Sequence, residues 1–174
     1  MLMTIIESIV YLCFKPSTAN MIRSANKNDQ AQIARILRTI DLFPPEILAN
    51  EMSDYLINPD TEHFWFVHED KATINGFCYC VPEQLTDRTY NLLAIGVHAA
   101  QQGNGIGRKL IEQAENSLIE AGQRILIVDT SGTAEFGPVS VRRFYTKLGY
   151  TQEAVIRDYW AEGDDKVTFW KRLN

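Results

Sequence analysis

A chain of 174 residues, 45% of them apolar and 22% charged, can bury one substantial core but is too short to suggest two domains. Its formal charge of -5 argues against a nucleic-acid or anionic-membrane partner, because such partners require a net basic face. The composition therefore predicts one globular domain that binds neither nucleic acid nor membrane.

The first 20 residues are apolar through Phe14 but contain Glu7, lack a basic leading region and fall short of a membrane span. They do not predict a signal peptide. Two interpretations remain for this segment, an added strand or packed arm and a translated upstream extension, because Met21 could itself begin a domain. We expect an N-terminal extension over 1–20 and one domain over 21–174.

A short strand over 22–25 is followed by two helical patterns. Asp29 and Gln32 have the spacing of a capping box, which predicts the start of an amphipathic helix. The apolar stripe of that helix is Ile33, Ile36, Leu37 and Ile40. Pro45 suits the first position of a second helix, which we expect to end before Asn58.

Three aromatic and β-branched segments come next and predict successive antiparallel strands. They are 63–69, 72–81 and 89–97. Cys78 and Cys80 would face the same side of one strand, where we expect core packing, with metal binding as the alternative. The three cysteines are an odd number without metal-ligand spacing, so we expect a reducing, cytoplasmic setting and no metal.

The second half of the chain alternates between helices and strands. A helix from Ile106 to the terminator Gly122 precedes a buried strand over 124–131. A further helix, carrying Tyr145 on its apolar face, ends before a hairpin of two strands. The element order predicts an α/β domain (α+β by some schemes), with a mixed, mostly antiparallel sheet of six to seven strands and helices on both faces.

Three glycines stand in a five-residue stretch, 103–107, where a strand is followed by a helix. Unpaired N–H groups and the positive end of the helix dipole favour an anion there, although glycines can also simply form a tight turn. Arg108 and Lys109 oppose the helix dipole, and a bound polyanion would relieve that repulsion. The loop therefore predicts a polyanion site.

The order of elements here resembles a dinucleotide-binding unit: a strand, a glycine loop, a helix and then Asp129. Such a unit would indicate a nucleotide-dependent oxidoreductase. That fingerprint requires G-x-G-x-x-G directly after its strand, whereas this loop has G-x-G-x-G and residues 98–102 intervene. A P-loop is excluded because G-x-x-x-x-G-K-[ST] is absent.

The loop sequence QGNGIG, five residues after Val97, resembles motif A of the GNAT acyl-CoA-dependent N-acyltransferases, Q/R-x-x-G-x-G/A. VRRFYTKLGY, over 141–150, is similar to another segment of that family, and the opening strand and first helix also match. The resemblance covers 21–174. DTSG, over 129–132, and the terminal hairpin are similar to a subgroup whose members mostly lack assigned substrates.

The resemblance implies that the protein transfers an acetyl group from acetyl-CoA to a primary amine of a small molecule or peptide. It implies that loop amides bind the CoA pyrophosphate, that the Val97 N–H polarises the thioester carbonyl, and that Tyr145 is the general acid. Asp129 is the candidate general base. The expected cofactor-binding residues are Ile95, Gly96, Val97, Gln102, Gly103, Asn104, Gly105, Ile106, Gly107, Arg108 and Ser140.

One position departs from the family pattern, because Pro138 stands where the family often has an asparagine that contacts the pantetheine. Either nearby Ser140 or a backbone group replaces that contact, or the contact is absent. The alternative function is a non-catalytic acyl-CoA-binding or regulatory module, and a homodimer is an expectation from the family alone. The residues expected to form an acidic, aromatic acceptor pocket are Glu51, Asp54, Glu83, Asp158, Tyr159 and Trp160.

Overall fold

The computed structural model describes residues 20–40, 42–133 and 138–173, without the side chains of 138–140. Within these residues the strands are β1 (Met21–Ser24), β2 (Phe64–Asp70), β3 (Thr73–Pro82), β4 (Thr89–Val97), β5 (Ile125–Ser131), β6 (Thr151–Ala161) and β7 (Asp164–Arg172). The α-helices are α1 (Gln30–Leu37), α2 (Leu48–Glu51), α3 (Ser53–Ile57), α4 (Ile106–Glu120) and α5 (Pro138–Lys147). Except for Asn20, the interpretations of residues 1–20 lie outside the described residues.

The strands form one seven-stranded sheet in the order β1-β2-β3-β4-β5-β7-β6. β4 and β5 are parallel, and the other neighbouring strands are antiparallel. The prediction of a mixed, mostly antiparallel sheet of six to seven strands is therefore confirmed.

The parallel pair is short. β4 and β5 pair only over three positions, 89–91 against 125–127, and the two strands separate beyond them. The β3–β4 register shifts at the same level, because Tyr79 lies opposite Ala94 while Cys80 lies opposite Leu92, which leaves Leu93 as the extra residue of a bulge. We call the space between 92–97 and 128–131 the β4/β5 gap.

Two apolar clusters lie on opposite faces of the sheet. On one face, α4 contributes Leu110, Ile111 and Leu118 to a core that also contains Val128 and Phe169. On the other face, residues of α1, α2 and the central strands form the second core. The members of that core that are least exposed to solvent are Ile33, Ile36, Met52, Trp65, Val67, Ile74 and Phe77. Helices on both faces were predicted, and the two cores confirm them.

The local predictions were right in type and wrong in two details. The segment after Pro45 is a 3-10 turn followed by the short helices α2 and α3, not one continuous helix. The capping box uses Asn26 and Asp29 rather than Asp29 and Gln32. Gln32 instead accepts a hydrogen bond from the backbone N–H of Ile74 at 2.9 Å, which fastens α1 to β3.

Asp29 is the buried charge at the start of α1. Its carboxylate accepts two hydrogen bonds from Arg23, at 2.7 and 2.8 Å, and one from the Asn26 N–H at 2.8 Å. Burial alone would raise the pKa of Asp29, but the bonds from Arg23 and Asn26 outweigh it and the pKa is lowered. None of the described helices has the length and apolar character needed to cross a membrane.

Asp29→Asn is expected to lower the free energy of unfolding by about 2–4 kcal/mol, because it breaks an ion pair that is mostly buried. A depressed pKa gives stability that is present above the unfolded value of about 4 and is lost as the pH falls through the lower folded value. The difference between wild type and variant should therefore shrink in acid.

Urea unfolding measured at neutral pH and at several acidic pH values checks this expectation. Asp60→Asn is the matched control, since Asp60 is exposed and, among the described residues, hydrogen-bonds through its backbone N–H and not through its carboxylate. A difference between Asp29→Asn and wild type that stays constant into strong acid would contradict the role given to this carboxylate.

Candidate functional site

The loop after β4 presents a row of backbone N–H groups without protein partners. Among the described residues, no hydrogen bond is formed by the N–H groups of residues 103–108, and the first helical bond runs from the Lys109 N–H to the Gly105 carbonyl at 3.1 Å. This is the pattern expected at a helix N-terminus. The N–H groups are therefore available to an anion.

Two glycines give the loop its shape. Gly103 and Gly105 have φ values of +80° and +77°, which side chains rarely tolerate, and a Cβ at either position would meet no atom within 4 Å. The space beside the loop is therefore open. Gln102 closes the loop against β4, because its Nε2 donates to the Val97 carbonyl at 3.3 Å.

The backbone of β4 faces the β4/β5 gap at alternate residues. The His98 N–H donates to the Asn75 carbonyl at 2.9 Å, and Gly96 lies opposite Phe77 in the same register. Because antiparallel neighbours alternate between bonded and non-bonded pairs, Ile95 and Val97 direct their backbone groups away from β3. These groups point toward the gap, since β5 does not pair with them.

Tyr145 lies on the α4 face of the sheet. Its ring is 5% exposed and packs against Phe169 and Tyr150, with centroids 5.1 and 5.6 Å away. Burial raises the pKa of Tyr145 well above its ordinary value, and the nearby thiols of Cys78 and Cys80 on β3 add to the increase. The phenol therefore lies between β7 and β3, beneath the strands that diverge, and holds its proton at neutral pH.

Asp129 lies on the opposite face. Its neighbour Val128 is buried in the core on the α4 face, so alternation directs the Asp129 side chain to the α1 face. Its carboxylate accepts hydrogen bonds from Thr168 Oγ1 at 2.6 Å and from Lys166 Nζ at 3.1 Å. Asp129 is thus a mostly buried carboxylate, with 18% of its side chain exposed, at the wall of the gap.

Strand register gives the level of Asp129 along the gap. Asn91 pairs with Ile127, and two further steps along β5 reach Asp129. On β4, the same distance from Asn91 ends at Ala94 rather than at Leu93, because Leu93 is the extra residue of the bulge. Extended past the last pair, this register puts Asp129 level with Ala94, while the Tyr145 phenol lies on the other face of the sheet.

The residues expected to form the acceptor pocket differ in their contacts. Asp54 accepts hydrogen bonds from Thr61 at 2.7 Å and from Asn58 at 3.0 Å, so its carboxylate is fixed. Burial, followed by the charges of Glu51 and Asp54, raises the pKa of Tyr79 to about 12. The negative charges of Glu51 and Asp54 therefore influence the ionisation of Tyr79. Tyr79 is the residue paired with Ala94 beside the gap.

The other expected pocket residues lie on the later strands. Glu83 accepts a hydrogen bond from Asn91 at 2.8 Å, next to the point where β4 and β5 separate. Asp158 is used by its own turn, since it accepts from the Gly163 N–H at 2.7 Å. Tyr159 and Trp160 are about half exposed and contact each other edge to face.

Lys166 and Thr168 were missed as site residues by the sequence analysis. Both lie on β7 and bind Asp129. The alternation of side chains along a strand could have placed Lys166 and Thr168 on one face of β7. Their contact with Asp129, however, depends on the register between β5 and β7, which no local sequence pattern encodes. Ser140 lies in α5, and its side chain is outside the description.

For Cys78 and Cys80 the sequence predicted core packing, with metal binding as the alternative. Cys78 and Cys80 are both fully buried in the core on the α4 face. In the described part of the chain, no three or more His, Cys, Asp or Glu side chains are grouped so that they could hold a metal ion.

Known proteins share both the sequence family and the fold. The model of the acetyltransferase (GNAT) domain matches residues 60–152, which is more than half of the chain. No match was found among curated proteins. A solved GNAT-family structure from Desulfovibrio desulfuricans is 25% identical, with a TM-score of 0.79, and the match covers 90% of this chain and 100% of that one.

Two further structures share the fold at lower identity. The ribosomal-protein-S18-alanine N-acetyltransferase of Escherichia coli is 18% identical, with a TM-score of 0.74 and coverage of 89% and 94%. The Salmonella typhimurium protein yncA, solved with its cofactor acetyl-CoA, is 21% identical, with a TM-score of 0.71 and coverage of 90% and 95%.

The raised pKa of Tyr145 has a measurable consequence in alkali. A group whose pKa is raised on folding gives stability that is present below its unfolded value, about 10 for tyrosine, and lost as the pH rises through the folded value. Wild type should therefore lose stability relative to Tyr145→Phe above about pH 10. Denaturant unfolding across the alkaline range measures the difference.

Phe144→Leu is the control for this measurement, because it alters the neighbouring ring contact without removing an ionisable group. Its difference from wild type should not change with pH. A Tyr145→Phe difference that is equally independent of pH would contradict a buried, protonated phenol.

Proposed function

The chain belongs to the GNAT acetyltransferase family, and on that premise we propose that it transfers an acetyl group from acetyl-CoA to a primary amine of a small molecule or peptide. The amine attacks the thioester directly in a ternary complex. One observation carries the proposal: the β4/β5 gap runs from the glycine loop and has a phenol, Tyr145, on one face and a carboxylate, Asp129, on the other.

The glycine loop suits the pyrophosphate of CoA. The unpaired N–H groups of 103–108 and the helix dipole both favour negative charge. Arg108 is half exposed beside them and adds a positive charge, although it also lies 3.6 Å from Glu112. In this proposal the residues that bind acetyl-CoA are those of 95–97 and 102–108, with Ser140.

The gap suits the extended arm of the cofactor. Ile95 offers a backbone N–H and C=O, and Val97 an N–H, that no strand uses, and an amide-bearing chain can pair with them as a strand would. The Val97 carbonyl already accepts from Gln102. We propose that the Val97 N–H polarises the thioester carbonyl, which becomes an oxyanion as the amine attacks.

In the proposed mechanism, the proton acceptor and the proton donor lie on opposite faces of the sheet. The acceptor amine must be neutral to attack, because an ammonium has no lone pair, and Asp129 is the base we propose, acting directly or through water. The departing thiolate needs a proton, and Tyr145 is a protonated phenol on the other face. Donor and acceptor of protons therefore lie on opposite sides of the thioester.

We propose a cationic amine as the acceptor. Glu51 and Asp54 lie close enough to Tyr79 to influence its ionisation, and Glu83 lies where the gap begins. Tyr159 and Trp160 add aromatic surface, and Tyr159 already faces an ammonium, since Lys166 Nζ lies 4.4 Å from its ring centroid. The second candidate, a non-catalytic acyl-CoA-binding or regulatory module, is favoured by Pro138 and by the candidate base Asp129, whose carboxylate already accepts hydrogen bonds from Lys166 and Thr168.

Two further expectations remain proposals. A cytoplasmic location is supported by the free thiols of Cys78 and Cys80. A homodimer is supported by β6, one of the two edge strands of the sheet, whose residues are all exposed. Antiparallel pairing of two β6 strands about Val155 would place Glu153 of one copy opposite Arg157 of the other, a favourable charge pair.

The loop is tested by Gly105→Ala, which should weaken acetyl-CoA binding about tenfold, because a strain of about 1–2 kcal/mol at positive φ displaces the amides. Isothermal titration with acetyl-CoA measures the affinity. Gly122→Ala is the matched control, with φ of +73° and open space at the other end of α4. Equal losses in both variants would contradict the proposed pyrophosphate site.

The phenol is tested by Tyr145→Phe, which should lower turnover by about 10²- to 10⁴-fold by removing the general acid. Thiol release from acetyl-CoA with a panel of primary amines is the measurement. Tyr55→Phe is the control, since the Tyr55 hydroxyl donates to the Ala25 carbonyl, in the segment that follows β1. Full turnover in Tyr145→Phe, with chemistry shown to be rate-limiting, would remove this tyrosine from the mechanism.

A further inference from the structure

Asn20, the first described residue, connects the start of β1 to the first turn of α4. Its side-chain oxygen Oδ1 lies 2.8 Å from Nε2 of His68 and 3.0 Å from Nζ of Lys109. His68 belongs to β2, and Lys109 directly follows the free N–H groups of 103–108. We call these three side chains the Asn20 bridge.

Lys109 fixes the positions of the protons in the bridge. A lysine ammonium can only donate, so the Asn20 atom that faces it must be the amide oxygen. That oxygen carries no hydrogen, and Nε2 of His68 must therefore donate to it. Neutral His68 thus carries its proton on Nε2 and leaves Nδ1 without one.

The imidazole of His68 is buried beneath the start of α4. His68 is 3% exposed, and its Nδ1 has no hydrogen-bond partner among the described residues. In the sheet it lies between Ile22 of β1 and Gly76 of β3. The helix covers this place closely, because a Cβ at residue 76 would lie 2.8 Å from Ile106 Cγ2 and 3.1 Å from Leu110 Cδ1.

A second proton on His68 would have to bind Nδ1. The new N–H would be a buried donor without an acceptor, and the imidazolium would share one oxygen with the Lys109 ammonium. Among the described residues, the charged groups that act on His68 are Lys109 from α4 and Asp70 from β2 itself. Ile22 and Gly76, opposite it on β1 and β3, are uncharged.

These surroundings favour the neutral imidazole. Burial lowers the pKa of His68, and the Lys109 ammonium lowers it further. Asp70 acts in the opposite direction but does not outweigh them. Protonation of His68 is therefore easier in any state in which the ring has left this place.

We propose that the Asn20 bridge is a proton-sensitive contact between β1 and α4, which is closed while His68 is neutral and opens when His68 binds a second proton. β1 suits such local opening, because it is an edge strand of four residues. Opening releases the Lys109 ammonium beside the free N–H groups of the glycine loop. The inference is independent of the proposed function, since the bridge involves no ligand.

The pH range of the opening follows from linkage. In the open state the imidazole is in water and titrates near its ordinary value of about 6.5, whereas in the closed state its pKa is lower. The closed state is therefore fully favoured above about pH 6.5 and loses its advantage as the pH falls below that value. At about pH 5.5 the equilibrium constant for opening should be up to about tenfold larger than at neutral pH.

Hydrogen exchange of the full chain, followed by mass spectrometry of peptides, measures this opening. Protection factors of residues 21–24 correct for the intrinsic pH dependence of exchange, and in wild type they should fall by up to about tenfold between about pH 7.5 and about pH 5.5. His68→Gln is the matched variant, because its amide can donate to Asn20 as Nε2 does but does not titrate. Its protection factors should change by less than about twofold.

Asn20→Asp should remove the loss of protection in acid, because a carboxylate in place of the amide oxygen favours the imidazolium. Residue 20 has a φ of 61°, which Asn and Asp tolerate better than most residues. Protection of β1 in this variant should stay constant or rise toward about pH 5.5. Lys147→Met, which removes an exposed lysine of α5, is the control and should behave like wild type.

NMR of the His68 ring in the wild-type protein tests the inference without any variant. The nitrogen chemical shifts at neutral pH should show a proton on Nε2 and none on Nδ1. The inference would be overturned by a proton on Nδ1 at neutral pH or by a His68 that titrates at or above about 6.5. An equal loss of β1 protection in wild type and His68→Gln would overturn it as well.

Discussion

A parallel pair that stops after three positions leaves two rows of backbone N–H and C=O groups without strand partners. Each such group would cost about 1–3 kcal/mol if it were buried unpaired, so the gap must contain water or an extended ligand. The bulge at Leu93 keeps β4 bonded to β3 while it bends away from β5. An amide-containing chain is the ligand that matches these groups best.

The same strand couples the gap to the anion site. β4 ends at Val97, whose carbonyl accepts a hydrogen bond from Gln102. The free N–H groups begin at Gly103, the residue after Gln102. A ligand with an anionic group and an extended arm would therefore meet both sites without crossing any other element.

The sequence predicted what local patterns determine. Three of the four stripe residues of α1, the terminator Gly122 and the aromatic strands were right, because period and turn chemistry are read over a few residues. The fourth stripe residue, Ile40, lies beyond the end of α1 at Leu37. The capping assignment failed because Asn26 competed for the role of Asp29, and Gln32 found a partner on β3. Contacts of that kind join residues far apart in the chain, and no short motif contains them.

Asp129 shows why a site needs more than its motif residues. As a strand-end carboxylate it has the same sequence signature whether it only caps a loop or works as a base. The structure adds Lys166 and Thr168, which fix the orientation of the carboxylate and supply its hydrogen bonds on the α1 face. In the proposed mechanism, a nucleophile and a leaving group that meet in the gap would exchange protons with opposite faces of the sheet, because Tyr145 is confined to the α4 face and Asp129 to the α1 face.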